Sequence, residues 1–290
     1  MTAARAVFSR KVRGIRRLFR PELSLAAGIC ALTGQILAVD GLPGLRNAAL
    51  AFGCVFCLSA TALILNDLFD YEVDKINAPE RPLPSGDVTP ADVIALTALT
   101  SLIGLLCALA LNLAAFGVAL GLWGIGFVYN WRAKQAGLIG NLMVSASVGM
   151  TFAFGAISVN APWNVFVWAF SLMAFFLDLG EEIAGDVMDM EGDKQRGSRS
   201  IALLKGRAFA LRLTLFIWVV AILSGFLPFI SGLPGTDYVI TLVLYAVLVI
   251  FFGRRLWFST DAETGHRAMR GAYLGGTLCI IGFMLWQLVG

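Results

Sequence analysis

Nine stretches of this sequence are apolar and long enough to cross a lipid bilayer, which takes about 20 residues of α-helix. They lie at 23–39, 47–66, 91–111, 114–130, 138–157, 162–180, 208–230, 237–252 and 270–289. Because lipid offers no hydrogen-bond partners, only helices or closed barrels can span it, and apolar runs of this length are helical. The sequence therefore predicts an all-α polytopic membrane protein with nine transmembrane helices.

The distribution of charge supports this topology. Only 14% of the 290 residues are charged, against about a quarter in a soluble domain. If the N-terminus is cytoplasmic, all but one of the 22 Lys and Arg residues fall on the cytoplasmic side, and the exception is Arg46. Because positively charged loops are kept in the cytoplasm, we expect a multi-pass protein of the cell membrane whose N-terminus and acidic loops are cytoplasmic.

A basic segment precedes the first spanning stretch. Residues 1–22 contain "RAVFSRKVRGIRRLFR", in which apolar side chains alternate with seven basic residues. A helix of this kind places its apolar face among lipid headgroups and its basic face toward anionic lipid. The segment is therefore predicted to be a basic amphipathic helix at the membrane interface.

Acidic residues gather in two matching clusters. Seven of the 19 Asp and Glu residues lie in 67–92, and seven more lie in 178–193. Each cluster contains three aspartates spaced by three and four residues, which places them on one face of a helix. These aspartates are Asp67, Asp70 and Asp74 in the first cluster, and Asp186, Asp189 and Asp193 in the second. Asn66 stands four residues before Asp70, and Glu182 stands four residues before Asp186.

Like charges at these spacings repel one another and weaken a helix, so a positive partner is expected beside them. Carboxylate and amide oxygens favour Mg²⁺ over zinc or copper, and Mg²⁺ commonly takes further ligands from water and phosphate. Two such clusters predict Mg²⁺ and a diphosphate rather than solvated loop acids, because acids at a bilayer boundary are usually functional. The sequence has one histidine, His266, and its only C-x-x-C pair, Cys54 and Cys57, has no second pair to complete a zinc site.

Basic residues accompany the acids. Lys75 and Arg81 follow the first cluster, and the segment "YNWRAK" brings Arg132 and Lys134 to the same side of the membrane. These cations suit a diphosphate, although Arg132 and Lys134 are equally well explained as loop residues that set the topology. The sequence T-P-A-D, beginning at Thr89, predicts a helix N-cap with proline at the first helical position.

The two clusters resemble the aspartate-rich signatures of the UbiA superfamily of intramembrane prenyltransferases. "NDLFDYEVDKINAPERPLPSG" is similar to N-D-x-x-D-x-x-x-D, and "DVMDMEGDKQRGSRSI" is similar to D-x-x-D-x-E-G-D. The resemblance covers nearly the whole chain. It implies a single UbiA-like domain, 1–290, with nine transmembrane helices around a central cavity and cytoplasmic cap loops. It also implies an enzyme that transfers an isoprenyl group, such as geranylgeranyl, from its diphosphate with Mg²⁺ as cofactor.

The resemblance also implies roles for individual residues. The implied metal ligands are Asn66, Asp70, Asp74, Asp189 and Asp193. The implied diphosphate contacts are Arg81, Lys134 and Lys75. Asp67, Asp186 and Glu182 lie in the same clusters and are candidates for catalytic roles. Among these, Glu182 or Asp186 could accept the proton that a hydroxyl acceptor loses.

The wording of the first signature most resembles that of digeranylgeranylglyceryl phosphate synthases, which implies geranylgeranylglyceryl phosphate as the lipophilic acceptor. The chain departs from those enzymes at Glu181, because they tend to carry Arg-Glu where this sequence has Glu181-Glu182. An aromatic, chlorophyll-type or quinone-type acceptor therefore stays open, as does a UbiA-type terpene cyclase that uses no acceptor. The expected partners are the isoprenyl diphosphate donor, the acceptor and membrane lipids, with no nucleic acid.

A divalent-ion or proton-coupled transporter is the alternative outside the enzymes. Transporters usually place their acidic residues near the midplane of the membrane, often at broken helices. In this sequence the interiors of the spans are almost free of charge, and the acids gather at one side of the membrane. This distribution favours the enzyme.

Overall fold

The computed structural model describes residues 2–195 and 197–289, and helices are the only regular elements in those ranges. The α-helices are α1 Thr2–Phe19, α2 Pro21–Val39, α3 Leu45–Phe69, α4 Tyr71–Asn77, α5 Pro90–Leu111, α6 Leu113–Trp131, α7 Leu138–Ser158, α8 Val165–Met188, α9 Met190–Gln195, α10 Ile201–Lys205, α11 Arg207–Ser224, α12 Thr236–Trp257 and α13 Ala262–Val289. Short 3-10 turns occupy Ala133–Gln135 and Leu227–Ser231. The predicted all-α class is confirmed.

Eight helices in the described ranges are long and apolar enough to cross a membrane. They are α2, α3, α5, α6, α7, α11, α12 and α13. This confirms the multi-pass architecture, but the predicted number of nine is not confirmed. The difference lies in α8, which corresponds to the predicted span 162–180. Its 24 residues rise about 36 Å, which is long enough to cross a membrane, but its C-terminal half carries four acids, so it is too highly charged to be one of the eight.

The chain forms two compact units. Unit 1 consists of Met1–Leu32 and Gly44–Trp131, and unit 2 consists of Thr33–Pro43 and Arg132–Gly290. The first acidic cluster therefore belongs to unit 1, and the second belongs to unit 2. The single UbiA-like domain implied for 1–290 stays a prediction.

In unit 1, α3 packs against α5, α6 and α1. Its core includes Leu18 of α1, Ile64 of α3 and Val93 of α5, together with the loop residues Leu83 and Val88. Small polar residues join the helices, as is common where helices pack within a membrane. The hydroxyl groups of Thr61 and Thr100 lie 2.7 Å apart, and the Trp123 indole N–H donates to Ser101 Oγ at 2.9 Å.

The loop that follows the first cluster ends in a helix cap. The Thr89 hydroxyl accepts a hydrogen bond from the Asp92 amide, and the Asp92 carboxylate accepts one from the Thr89 amide. The predicted N-cap is confirmed. Lys11 Nζ of α1 lies 2.7 Å from Oδ1 of the same carboxylate, so an ion pair joins α1 to the start of α5. The interfacial location of segment 1–22 stays a prediction, and Met1 lies outside the described residues.

In unit 2, α8 packs against α7, α11 and α13. The indole N–H of Trp218 donates to the Leu177 carbonyl at 3.0 Å, and Tyr238 donates to the Gly225 carbonyl at 2.7 Å. The C-terminal part of α2 lies so close to α7 that a Cβ at Gly34 would overlap the Phe152 carbonyl oxygen. Glycine is required at this position because a backbone atom, unlike the end of a flexible side chain, cannot move aside.

We expect Gly34→Ala to lower the stability of the protein by about 1–3 kcal/mol, because the added methyl group forces the helix backbones apart. Thermal unfolding of the purified protein in detergent measures this as a lower Tm. The control is Gly121→Ala in α6, where an added Cβ would meet no atom of the described chain within 4 Å. Equal Tm values for the two variants would contradict the close approach.

Candidate active site

The first acidic cluster lies where α3 ends and α4 begins. Asn66 and Asp67 are in the last turn of α3, Asp70 joins the two helices, and Asp74 is in α4. The Asp70 amide donates to the Asn66 carbonyl at 3.0 Å, and the Asp74 amide donates to the Asp70 carbonyl at 2.7 Å. Because these bonds keep the helical spacing through the junction, Asn66, Asp70 and Asp74 share one face, as predicted.

Two acids of this cluster are buried and are neutralised by arginines. Asp67 is 2% exposed and Asp74 is 5% exposed. Arg20, at the end of α1, donates from Nη2 to Asp67 Oδ1 at 2.6 Å. Arg81 Nη1 lies 2.6 Å from Asp74 Oδ2 and 3.8 Å from Asp67 Oδ1. Burial lowers the pKa of Arg81, but the hydrogen bond to Asp74 and the charges of the neighbouring aspartates outweigh it and raise the pKa above its usual value.

The amide of Asn66 is held by a residue that the sequence did not single out. Asn66 Nδ2 donates to Asn130 Oδ1 at 3.2 Å. Asn130 in turn donates to the carbonyls of Ala62 and Gly126, on α3 and α6. Asn130 therefore orients a predicted metal ligand. The sequence signal for Asn130 was that it is the single amide side chain of the apolar α6, within "YNWRAK".

Lys75 has its own partners. Its ammonium group lies 2.7 Å from Glu72 Oε1 and 4.2 Å from the centre of the Tyr71 ring. The hydrogen bond to Glu72 raises the pKa of Lys75. The structure thus pairs Arg81 with the buried aspartates and pairs Lys75 with an exposed glutamate. The diphosphate contacts predicted for Lys75 and Arg81 both stay predictions.

The second acidic cluster repeats the local geometry of the first. Asp189 joins α8 to α9, and the Asp193 amide donates to the Asp189 carbonyl at 2.9 Å. Asp189 has φ −102° and ψ 11°, and Asp70 has φ −86° and ψ 0°. Both aspartates therefore adopt the sparsely populated bridge conformation, which is often found in active sites. His266 of α13 lies near this junction, with Nε2 3.5 Å from Asp189 Oδ1.

Neutral donors from α7 reach the acids of α8. Asn141 Nδ2 donates to Asp186 Oδ2 at 2.9 Å, and Ser145 Oγ donates to Asp178 Oδ2 at 2.7 Å. Since 141 and 145 are four residues apart, one face of α7 serves both carboxylates. Glu182 is four positions after Asp178 and four positions before Asp186, so the three acids share one face of α8.

Lys134 is held close to the chain that follows the second cluster. It lies in the turn Ala133–Gln135, and the Arg199 amide donates to the Gln135 carbonyl at 3.2 Å. Gly137, the residue before α7, has φ +60°, and a Cβ there would overlap the Arg199 carbonyl oxygen. Both the left-handed backbone and the close approach require glycine. The turn and the second cluster thus belong to one region of unit 2.

Sequence reasoning missed several of these neighbours for a common reason. Asp178 lies inside a predicted span, Asn141 and Ser145 lie in another, and His266 lies between two predicted spans. Spacing along one helix does not reveal which residues of the next helix lie opposite. The available signal was the pair of polar residues four positions apart on the apolar α7.

The residues of both clusters fit Mg²⁺ by their chemistry. Their side chains offer carboxylate and amide oxygens, the ligands that Mg²⁺ prefers. Within residues 2–195 and 197–289, no three His, Cys, Asp or Glu side chains converge to hold a metal ion. This is compatible with Mg²⁺, which commonly takes only one or two carboxylates and completes its shell with water and phosphate oxygens. Asp74 offers Oδ1 for this purpose, since Arg81 binds its Oδ2.

The comparison with protein families agrees with this site. Residues 27–285 match the UbiA prenyltransferase family. The chain belongs to this family. The predicted resemblance is confirmed, and the UbiA family membership identifies the protein as a prenyltransferase rather than a transporter.

Individual relatives of this UbiA protein match over nearly their whole length. The digeranylgeranylglyceryl phosphate synthase of Thermococcus kodakarensis is 33% identical over 270 residues, which cover 93% of this chain and 96% of the relative. The digeranylgeranylglyceryl phosphate synthase of Methanopyrus kandleri is 33% identical over 277 residues, which cover 94% of this chain and 100% of the relative. A solved structure from work on digeranylgeranylglyceryl phosphate synthase in membranes has 26% identity and a TM-score of 0.81, covering 96% of this chain and 99% of its own.

We expect Arg20→Gln to destabilise this UbiA protein, because it removes the charge that neutralises the buried carboxylate of Asp67. The cost is about 1–3 kcal/mol, since Arg81 remains nearby and Arg20 is partly exposed. It is measured as a lower Tm in detergent, and Arg20→Lys should recover part of it. Arg16→Gln, at an exposed position of the same α1, is the control. A Tm as high for Arg20→Gln as for Arg16→Gln would contradict the role of the ion pair.

Proposed function

We propose that the protein transfers an isoprenyl group, such as geranylgeranyl, from its diphosphate to geranylgeranylglyceryl phosphate, with Mg²⁺ as cofactor. The observation that carries this proposal is the 33% identity with the Thermococcus kodakarensis digeranylgeranylglyceryl phosphate synthase, which extends over 93% of this chain and 96% of the relative. Because the match covers both chains almost fully, the relative's whole reaction is a reasonable model. The product would be an ether lipid with two isoprenyl chains.

In this proposal the metal ligands are Asn66, Asp70 and Asp74 from the first cluster and Asp189 and Asp193 from the second. A UbiA homologue from Archaeoglobus fulgidus has been solved with DMAPP and Mg²⁺, with 18% identity, a TM-score of 0.72 and coverage of 94% of this chain and 98% of its own. That likeness concerns the fold alone. When bound, Mg²⁺ supplies positive charge that stabilises a departing diphosphate.

Fixed cations of the chain act on the same leaving group. When the allylic carbon–oxygen bond breaks, negative charge develops on the pyrophosphate, and preorganised donors lower that barrier most effectively where water is excluded. Arg81, Lys134 and Lys75 are the proposed donors. Arg81 is already held at Asp74, so its guanidinium group needs little reorganisation. Asp67 acts as a positioning residue, because its charge helps to hold Arg81.

The acceptor hydroxyl then attacks the allylic carbon, forms the ether bond and loses its proton. Glu182 or Asp186 is the proposed base. Asn141 holds Asp186 through one carboxylate oxygen, at 2.9 Å, so the other oxygen can face a hydroxyl group. Pyrophosphate leaves with the electron pair of the broken bond, and the carboxylate carries the proton away. We further propose that both clusters and the N-terminus are cytoplasmic, which the one-sided distribution of Lys and Arg supports.

Glu181 favours a second candidate function, the prenylation of a neutral aromatic acceptor. A phosphate group close to Glu181 would be repelled, by roughly 1–4 kcal/mol depending on screening. However, burial and then the charges of Asp178 and Glu182 raise the pKa of Glu181 to about 8, while the charge of Arg270, on α13, opposes this shift. Glu181 therefore carries less than a full negative charge near pH 7, so the departure at Glu181 is compatible with a phosphorylated acceptor. The structure offers no comparable support for cyclisation without an acceptor.

We expect Asp70→Ala and Asp193→Ala each to lower prenyl transfer by about 100-fold or more, because each removes a proposed ligand of the ion that stabilises the leaving group. The assay follows radiolabelled geranylgeranyl diphosphate at increasing MgCl₂, with EDTA-treated wild-type protein as the zero point. Their controls are Glu72→Ala and Glu191→Ala, which remove exposed acids from the same short helices. Near-normal transfer by Asp70→Ala or Asp193→Ala, or full activity in EDTA, would overturn the ligand assignment.

We expect geranylgeranylglyceryl phosphate to be prenylated on its hydroxyl, and Arg270→Gln to raise the KM for this acceptor, because a cation that attracts its phosphate is lost. Glu181→Gln should lower the same KM mainly above about pH 8, where Glu181 is charged. Arg267→Gln is the control on α13, since Arg267 pairs with Glu263 of the same helix. With a neutral aromatic acceptor, these changes should leave the KM nearly unchanged. Formation of a carbon–carbon product on an aromatic ring, with no ether product, would decide for the second candidate.

A further inference from the structure

Four arginines meet at the elbow between α1 and α2. They line a cleft of about 350 Å³ together with the first two residues of α2. The lining residues of this arginine cleft are Arg13, Arg16, Arg17, Arg20, Pro21 and Glu22. Arg16 and Arg17 stand three and four residues after Arg13, so these three arginines share one side of α1, and Arg20 follows directly at the elbow.

The positive charge of the cleft exceeds the negative charge available to it. Arg20 is paired with Asp67, and Arg17 donates to the Glu80 carbonyl at 2.8 Å. Arg17 also lies 4.0 Å from Asp87. For Arg13 and Arg16, no acidic group of the described chain lies within the 4.0 Å of an ion pair, and Glu22 is the only acid in the lining. Like charges at helical spacing repel one another, so an external anion would stabilise the cleft.

The elbow is held in a fixed and strained shape. Arg20 has φ +40°, a left-handed backbone conformation that is unfavourable for a residue with a side chain. Its carbonyl accepts a hydrogen bond from the Leu23 amide at 3.0 Å, and its guanidinium group is bound to Asp67. The neighbouring Leu18 is fully buried in the core of unit 1. Since such strain persists only where surrounding contacts enforce it, the four guanidinium groups are brought together by the fold.

Exposed apolar residues around the cleft suit a position at the level of lipid headgroups. Leu23 and Leu25 are exposed in the first turns of α2, which is long and apolar enough to cross a membrane. Phe8 and Val12, four residues apart on α1, are 71% and 50% exposed. A spanning helix begins beside the cleft, and an amphipathic helix with exposed apolar side chains leads into it. This is the arrangement of an interfacial helix with its bases at the phosphate layer.

We propose that the arginine cleft binds the phosphate headgroup of an anionic membrane lipid, whose hydrocarbon chain lies along the apolar first turns of α2. Guanidinium groups bind phosphate oxygens in pairs, with better geometry than ammonium groups. The bound headgroup neutralises Arg13 and Arg16 and steadies the elbow from which Arg20 reaches Asp67. The proposal concerns a resident lipid, and it does not depend on which acceptor is prenylated.

The test measures lipid binding to the full-length, delipidated protein in detergent by native mass spectrometry. The probes are phosphatidylglycerol, phosphatidylcholine and inorganic phosphate. We expect phosphatidylglycerol to bind wild-type protein more tightly than phosphatidylcholine. Arg13→Gln combined with Arg16→Gln should weaken that binding about tenfold or more, because two charges near the membrane surface are lost. The corresponding lysine variant should weaken it less, since it keeps the charge.

Arg254→Gln combined with Arg255→Gln is the matched control, because it removes two adjacent arginines from the end of another spanning helix, α12. Its affinity for phosphatidylglycerol should stay within about twofold of wild type. Thermal unfolding checks that both double variants fold. Equal losses of phosphatidylglycerol affinity in the two double variants would overturn the proposal. An unchanged affinity of the variant with Arg13→Gln and Arg16→Gln would overturn it as well. Tight binding of inorganic phosphate without preference for phosphatidylglycerol would overturn the assignment to a lipid.

Discussion

The buried carboxylate of Asp67 is the constraint on which the organisation of unit 1 depends. A charge removed from water at the end of a spanning helix must be paired, or the structure loses several kcal/mol. Arg20 reaches it from 47 residues away in the sequence, and Arg81 approaches it from the loop beyond α4. One desolvated group thus joins the N-terminal helix, the aspartate-rich helix ends and the proline-rich loop. This explains why the first cluster contains one more aspartate than its predicted metal ligands require.

Both clusters also share a local backbone arrangement, although their sequences differ. Asp70 and Asp189 each stand between a long helix and a short one, with nearly the same backbone angles. The amide-to-carbonyl bonds continue across each junction, so the acids keep a common face while the helix axis can change direction. The partners differ, since arginines neutralise the first cluster, whereas an asparagine and a histidine contact the second.

Much of this could be predicted from the sequence, and the physical reason is that the informative signals are local. Apolar runs predicted the spanning helices, three- and four-residue spacing predicted the shared faces, and T-P-A-D predicted the cap at Thr89. The predicted count of nine spans is not confirmed at α8, where acids of the second cluster add more charge than a candidate span carries. The contacts of Asp186 with Asn141, and of Asp178 with Ser145, depend on how two helices are aligned along each other. No spacing within either helix encodes that alignment.

The acids of α8 also bear on how the protein is assembled in the membrane. A charged carboxylate costs free energy when its helix leaves the translocon alone, and the cost reaches about 3 kcal/mol at the helix centre. Asp178 lies within the predicted span, and its carboxylate is held by Ser145 of the preceding helix, α7. Because α7 leaves the ribosome first, its polar face is in place when α8 arrives. The two helices thus suit entry into the bilayer as a hairpin, in which Ser145 of α7 provides a hydrogen-bond donor for the carboxylate of Asp178 on α8.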